Sequence, residues 1–98
     1  MNTLALINTA AEISAKLTLV KNHQAKFYMD EARKILEEMF DTKPHAIIIQ
    51  PGSQINLETI GREANSLAWD LEQMNITPPL RRAIEFINTV ETICTHRC

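Results

Sequence analysis

Between Met1 and Asp41 the chain contains neither glycine nor proline, and only two glycines and four prolines occur in all 98 residues. The backbone therefore has few places to turn without strain, and long helices are the natural outcome. The first stretch places Leu6, Ala10, Ile13, Leu17 and Val20 at the three-to-four spacing of an amphipathic helix. A second stripe runs through Ala25, Tyr28, Met29, Ala32, Ile35, Leu36, Met39 and Phe40. A single rod through both would be about 57 Å long at 1.5 Å per residue, with nothing to fold back against. Thr18, Val20 and Asn22 are mediocre helix formers. The pattern thus predicts a hairpin, Thr3–Lys21 with Gln24–Asp41, turning near Lys21-Asn22-His23.

Prolines and glycine then punctuate the chain. Ala46-Ile47-Ile48-Ile49-Gln50, bounded by Lys43-Pro44-His45 and Pro51-Gly52, reads as a short extended segment followed by a turn. Its isoleucines are expected to plug the core. The other reading pairs this segment with a second copy or with the sheet edge of a partner. After it, Leu57, Ile60, Ala64, Leu67, Leu71 and Met74 keep a strict heptad spacing that wants a facing helix. Asn56 suits the N-cap, Ile55 and Ile60 suit a hydrophobic staple, and Gly61, Ala64 and Ala68 leave room for a close neighbour. Asn75-Ile76 makes the next corner, with Asn75 a candidate for left-handed backbone. Thr77 caps a fourth helix with Pro78 in its first position. Leu80, Ala83, Ile84, Ile87, Val90 and Cys94 supply its buried face, and the tail from Thr95 to Cys98 is expected to fray.

The expected fold is all-α: a single helical domain over residues 1–98, with two helical hairpins, Thr3–Lys21 with Gln24–Asp41 and Leu57–Met74 with Pro78–Cys94. One short extended segment near 46–50 joins them. Composition agrees, since 45% hydrophobic residues with only five aromatics favours helix-on-helix packing over a sandwich.

Composition also excludes function classes. Ten basic against twelve acidic residues give a net charge of −2, without the basic excess expected of a phosphate-backbone binder. A nucleic-acid partner is not expected, nor is a membrane, because no apolar run reaches the eighteen or so residues a spanning helix needs. Two cysteines with no export signal point to a reduced, cytoplasmic protein. Gly52 and Gly61 alone cannot build a phosphate-cradling loop.

Three chemistries are weighed against their ordinary alternatives. Cys94, His96 and Cys98 offer three zinc ligands, but a fourth would come from distant His23 or His45, so no metal or other cofactor is expected. Glu38 and Asp41 give half of a paired magnesium-binding pattern, with Glu58 and Glu63 at the wrong spacing for the other half. A small helical metal-dependent hydrolase is therefore third among the readings, and no catalytic residue is assigned. Leu71 through Ile84 has the outline of a helix-turn-helix, with Arg81 and Arg82 opening its second helix. Asp70 and Arg81 fall where that motif needs apolar side chains. Two cations at a helix N-terminus oppose the dipole, so they should pair with carboxylates or meet an acidic partner.

Trp69 lies about 160° from the centre of the Leu57–Met74 seam, beside Arg62, Ser66 and Gln73. Either this helix is buried on two sides, or the indole is a surface anchor of the kind enriched in binding hot spots. With no active site in view, the chain is expected to be a non-enzymatic, cytoplasmic protein-binding module that inhibits or assists a larger protein, as small phage or mobile-element proteins do. Trp69, Arg62, Gln73, Arg81 and Arg82 are the candidate contacts. A homodimer is a further candidate assembly, and a dimeric DNA-binding regulator using the helix from Pro78 is the alternative reading.

Overall fold

The computed structural model describes residues 2–50 and 52–96. It contains four helices, α1 (Thr3–Leu19), α2 (His23–Phe40), α3 (Leu57–Glu72) and α4 (Pro78–Thr95), and no strand among the described residues. Each helix begins on a polar side chain that satisfies amides of its own first turn. Asn2 accepts from Leu4 and Ala5, Asn22 from Ala25, Asn56 from Thr59, and Thr77 from Leu80. The expected caps at Asn56 and Thr77 are both present.

The α1–α2 turn shows why α1 and α2 stop a residue or two short of their expected ends, whereas α4 runs one residue past Cys94, into the Thr95 expected to fray. Lys21 adopts φ 59°. Its N–H donates to the Thr18 carbonyl while that of Asn22 donates to Leu17, at 3.1 and 3.0 Å. This pair of bonds closes α1 with a Schellman motif, and Asn22 immediately caps α2. The α2 terminus repeats the device at Asp41, φ 48°, with Thr42 donating to Glu37. Asn75 does not take the left-handed position proposed for it, since only Lys21, Asp41 and Gly52 have positive φ among the described residues. Instead, Gln73 and Met74 donate to Asp70 and Leu71 in a tightening last turn of α3.

Packing arranges the helices in a square. α1 touches α2 and α3, α4 touches α2 and α3, and the two diagonals make no contact. Gly61 in the first turns of α3 lies against Cys94 and Thr95 at the end of α4. On α2 and α4, Tyr28 stacks near Phe86, while Ile35 and Met39 share a groove with Pro78 and Arg82. Lys16, late in α1, is bonded to Glu63, early in α3. Every touching pair is therefore antiparallel, and α2 and α3 run the same way.

That topology explains the connector. α2, 18 residues long, measures about 27 Å, so the chain leaving its end must climb the full height of the bundle before α3 can start. It does so along α1. The His45 N–H donates to Asn8 Oδ1 at 2.8 Å, and farther on Ile49, Gln50, Gly52 and Ile55 stand over Ala15, Thr18 and Leu19. The expected extended segment is a strap and not a strand, because among the described residues no second strand lies beside it to complete a ladder. Its isoleucines do not plug the core either. Ile48 is 82% exposed, Ile47 and Ile49 are half-buried, and Ile55 is the isoleucine of this stretch that packs on the core. The helices already fill that space with Ile7, Ile13, Leu17, Met29, Leu36, Ile60, Leu71, Leu80 and Ile87, all fully buried. The expected turn at Pro51-Gly52 survives in part: Ser53 N–H donates to the Gln50 carbonyl across Gly52 at φ +83°, while Pro51 lies outside the described residues.

Candidate functional site

The five residues singled out from sequence fall on two separate faces. Trp69, Arg62 and Gln73 share the outer face of α3, opposite the buried seam. The indole is 61% exposed, so the reading in which this helix is buried on both sides is not the one the fold adopts. Neighbouring groups are held in place. Arg62 pairs with Glu58 one turn earlier at 2.5 Å, and the Gln73 amide donates to the Trp69 carbonyl at 3.1 Å. Beside them a shallow groove of about 360 Å³ separates α3 from α1, lined by Thr9, Thr59, Glu63, Ser66 and Asp70. Shallow and exposed, this face has the character of a contact surface and not of a substrate pocket.

Arg81 and Arg82 lie elsewhere, at the start of α4. Both are exposed, and neither makes an ion pair among the described residues. The Arg82 guanidinium sits 5.5 Å from the centroid of Phe86, a cation–π arrangement that draws it toward α2. There it borders a groove of about 580 Å³ between α2 and α4, floored by Ile35, Met39, Pro78, Pro79 and Phe86, with Glu38 and Lys34 on the opposite lip. An aromatic row continues the floor. Tyr28 lies 6.0 Å from Phe86, and Phe27, 59% exposed, meets Tyr28 edge-on at 5.5 Å.

Of this face, the sequence pattern places Tyr28, Ile35 and Met39 on the buried stripe of α2 and Glu38 in half of a magnesium-binding pattern, and it assigns nothing to Phe27 and Phe86. A signal existed for Phe27, which is off the three-to-four register of its helix's buried stripe, as Trp69 is, and a large side chain off register is a surface candidate. Phe86, three residues after Ala83 and four before Val90, lies on the flank of its stripe and is half-buried.

Charges inside the bundle are deployed structurally. Burial pushes the Asp30 carboxyl up, but hydrogen bonds from Lys26 (2.5 Å) and Ser14, with the charges of Lys26 and Arg33, outweigh it and hold Asp30 below its ordinary value. Glu37, 7% exposed, is likewise pushed up by burial and brought below the usual range by Lys43 and Arg33. Lys16 is the converse. Burial lowers it, yet the carboxylates of Glu63 and Glu12 leave it raised. Depressed carboxylates bind fewer protons in the folded state, so their contribution is complete above the unfolded values of 3.8 and 4.5. It is lost as pH falls through the lower folded values. The raised lysine contributes fully below 10.5 and loses its share at higher pH. Thermal midpoints should therefore fall progressively once pH drops below about 4.5, and an unchanged midpoint between pH 6 and pH 3 (~3 units) would contradict this linkage.

The candidate catalytic and metal-binding groups are dispersed. The Cys94 thiol is fully buried and raised by burial, His96 is exposed, and Cys98, like Arg97, lies outside the described residues. Among the described residues no three His, Cys, Asp or Glu side chains gather closely enough to hold a metal ion. Glu38 and Asp41 end α2 whereas Glu58 and Glu63 open α3, and these helices are diagonal to one another. No helix among the described residues is long and apolar enough to cross a membrane. Comparison with protein families, with characterised proteins and with solved structures finds no match to this chain.

Proposed function

We propose that this chain is a small non-catalytic protein-binding module that modulates a larger protein, with the outer face of α3 as its anchor. One observation carries the reading. A tryptophan is held 61% exposed on the outer side of a helix whose other side is sealed by Ile60, Ala64, Leu67 and Leu71. Leaving so large an apolar surface in water is unfavourable unless something covers it, and tryptophan flanked by arginine is the composition of binding hot spots. The proposed setting is the cytoplasm, where the Cys94 thiol stays reduced.

The DNA-reading alternative has less support. α3 and α4 lie antiparallel, first turn to last, whereas a helix-turn-helix crosses at about 90–120°. Lys16, Lys26, Arg33, Lys34, Lys43 and Arg62 are each matched to a carboxylate, so among the described residues only Lys21, Arg81 and Arg82 are left unpaired, a short patch rather than the broad basic face that phosphates need.

The test compares wild type with Trp69→Ala as baits in a lysate of the native host. A protein held by wild type should bind the variant at least about tenfold more weakly, while the melting midpoint stays within a few degrees. Equal retention by both baits, or no protein specific to wild type, would overturn the proposal.

A further inference from the structure

Independently of the α3 face, we propose that the groove between α2 and α4 receives the same groove of a second copy, forming a two-fold dimer. The groove has an apolar floor and lips of opposite sign. On the α2 side stand Glu31 and Glu38, with Lys34 tied to Glu31 at 3.5 Å. On the α4 side stands Arg82, with Arg81 and Glu85 outside the groove on the far flank of the helix. Glu38, Arg81 and Arg82 are exposed and make no ion pair within the chain. A uniformly acidic partner would satisfy the arginines but face Glu38, and a basic one would do the reverse. A second copy supplies both signs by construction.

The symmetry follows from the same pattern. A face-to-face dimer has its two-fold axis in the plane of the interface. An axis across the helices lays α2 on α2 and α4 on α4. Where it crosses at the level of Glu38 and Arg82 it sets acid against acid and base against base, and at no level does it bring Glu38 against Arg82. An axis parallel to the helices lays α2 of one copy over α4 of the other at the same height. Glu38 and Arg82 border the same end of one groove, so this operation brings each against its opposite in the other copy. Both salt links form, and the floors of Ile35, Met39 and Phe86 close on one another. Phe27 and Tyr28 prolong the buried strip toward the other end. Charge complementarity of this kind fixes register and excludes the competing axis, while the aromatic floor supplies the affinity.

Sedimentation equilibrium is the test. Wild type is expected to be dimeric at about 100 μM, a concentration at which a standard-sized interface associates. Glu38→Arg and Arg82→Glu should each weaken the dimer by more than about tenfold, because like charges then face each other. An equimolar mixture of the two variants should restore a dimer containing one chain of each, since every lip again meets its opposite. The double variant in one chain should also dimerise, which keeps the test decisive if either single variant folds poorly. Wild type that stays monomeric at that concentration, single variants as dimeric as wild type, or a folded double variant and mixture that stay monomeric would each overturn the proposal.

Discussion

Replacing Ile87 with alanine is expected to remove about 3–4 kcal/mol of stability and lower the melting midpoint by some 15–25 °C. Ile87 is fully buried on α4, the helix that packs against both α2 and α3. Three carbons leave, and their transfer alone is worth about 2.4 kcal/mol at 0.8 per methylene. A rigid square of helices cannot close over the void, so a cavity term of roughly 1 kcal/mol or more is added. A chain of this size has on the order of 5–15 kcal/mol in total, so the variant stands near the limit of folding. The control is the same chemical change at Ile48. That side chain is 82% exposed, and Ile48→Ala should move stability by less than about 0.5 kcal/mol. Urea denaturation of both variants measures the contrast. Equal losses would mean that the strap is part of the core and the packing described above is wrong.

That contrast marks what the sequence could and could not convey. Local features were legible because the interactions that make them are local. The heptad of Leu57 to Met74, the caps at Asn56 and Thr77 and the turn at Lys21-Asn22 all depend on residues within one turn of each other, and each is present. Ile47 to Ile49 misled because hydrophobicity signals burial only if space is left. Here the helices had already filled the interior, and the strap was needed for reach. The order in which the two hairpins dock was illegible for the same reason. Periodicity fixes which face of a helix is apolar but not which helix it meets, so nothing in the sequence said that α2 would lie against α4.

The candidate surfaces divide along this line. Trp69 was located by its angle from the seam, a property of α3 alone, and the fold leaves it in water. The row formed by Phe27, Tyr28 and Phe86, with Arg82 over the last ring, exists only because α2 and α4 are neighbours. Arg81 and Arg82 drew attention as cations misplaced on a helix dipole. The structure gives Arg82 an aromatic ring and no carboxylate, which compensates the dipole only in part. A residual demand for negative charge at this spot is what the opposing Glu38 of a second copy would meet.

Gly61→Leu is the other substitution expected to have a large effect, lowering stability by about 3 kcal/mol, whereas Gly61→Ala should lower it by only about 1. Two terms compete at this position. Glycine inside a helix costs about 1 kcal/mol relative to alanine, so an added Cβ starts with a gain. That carbon would lie 2.6 Å from Thr95 Cγ2 and 3.3 Å from Cys94 Cβ. The Thr95 methyl ends a side chain in the last turn of α4 and can turn away only by giving up the hydroxyl's 2.9 Å bond to the Glu91 carbonyl. Cys94 cannot, because it is fully buried and its Cβ is fixed by the α4 backbone. With alanine, a small separation of the two helices therefore slightly outweighs the propensity gain. With leucine, three further carbons must enter a seam that has no cavity, and α3 is levered off α4 where its first turns anchor the bundle. Thermal melts of the two variants decide the matter. An alanine variant more stable than wild type would show that the α3–α4 contact is looser than these distances indicate. A leucine variant of wild-type stability would mean that α3 does not dock on α4 through Gly61 at all.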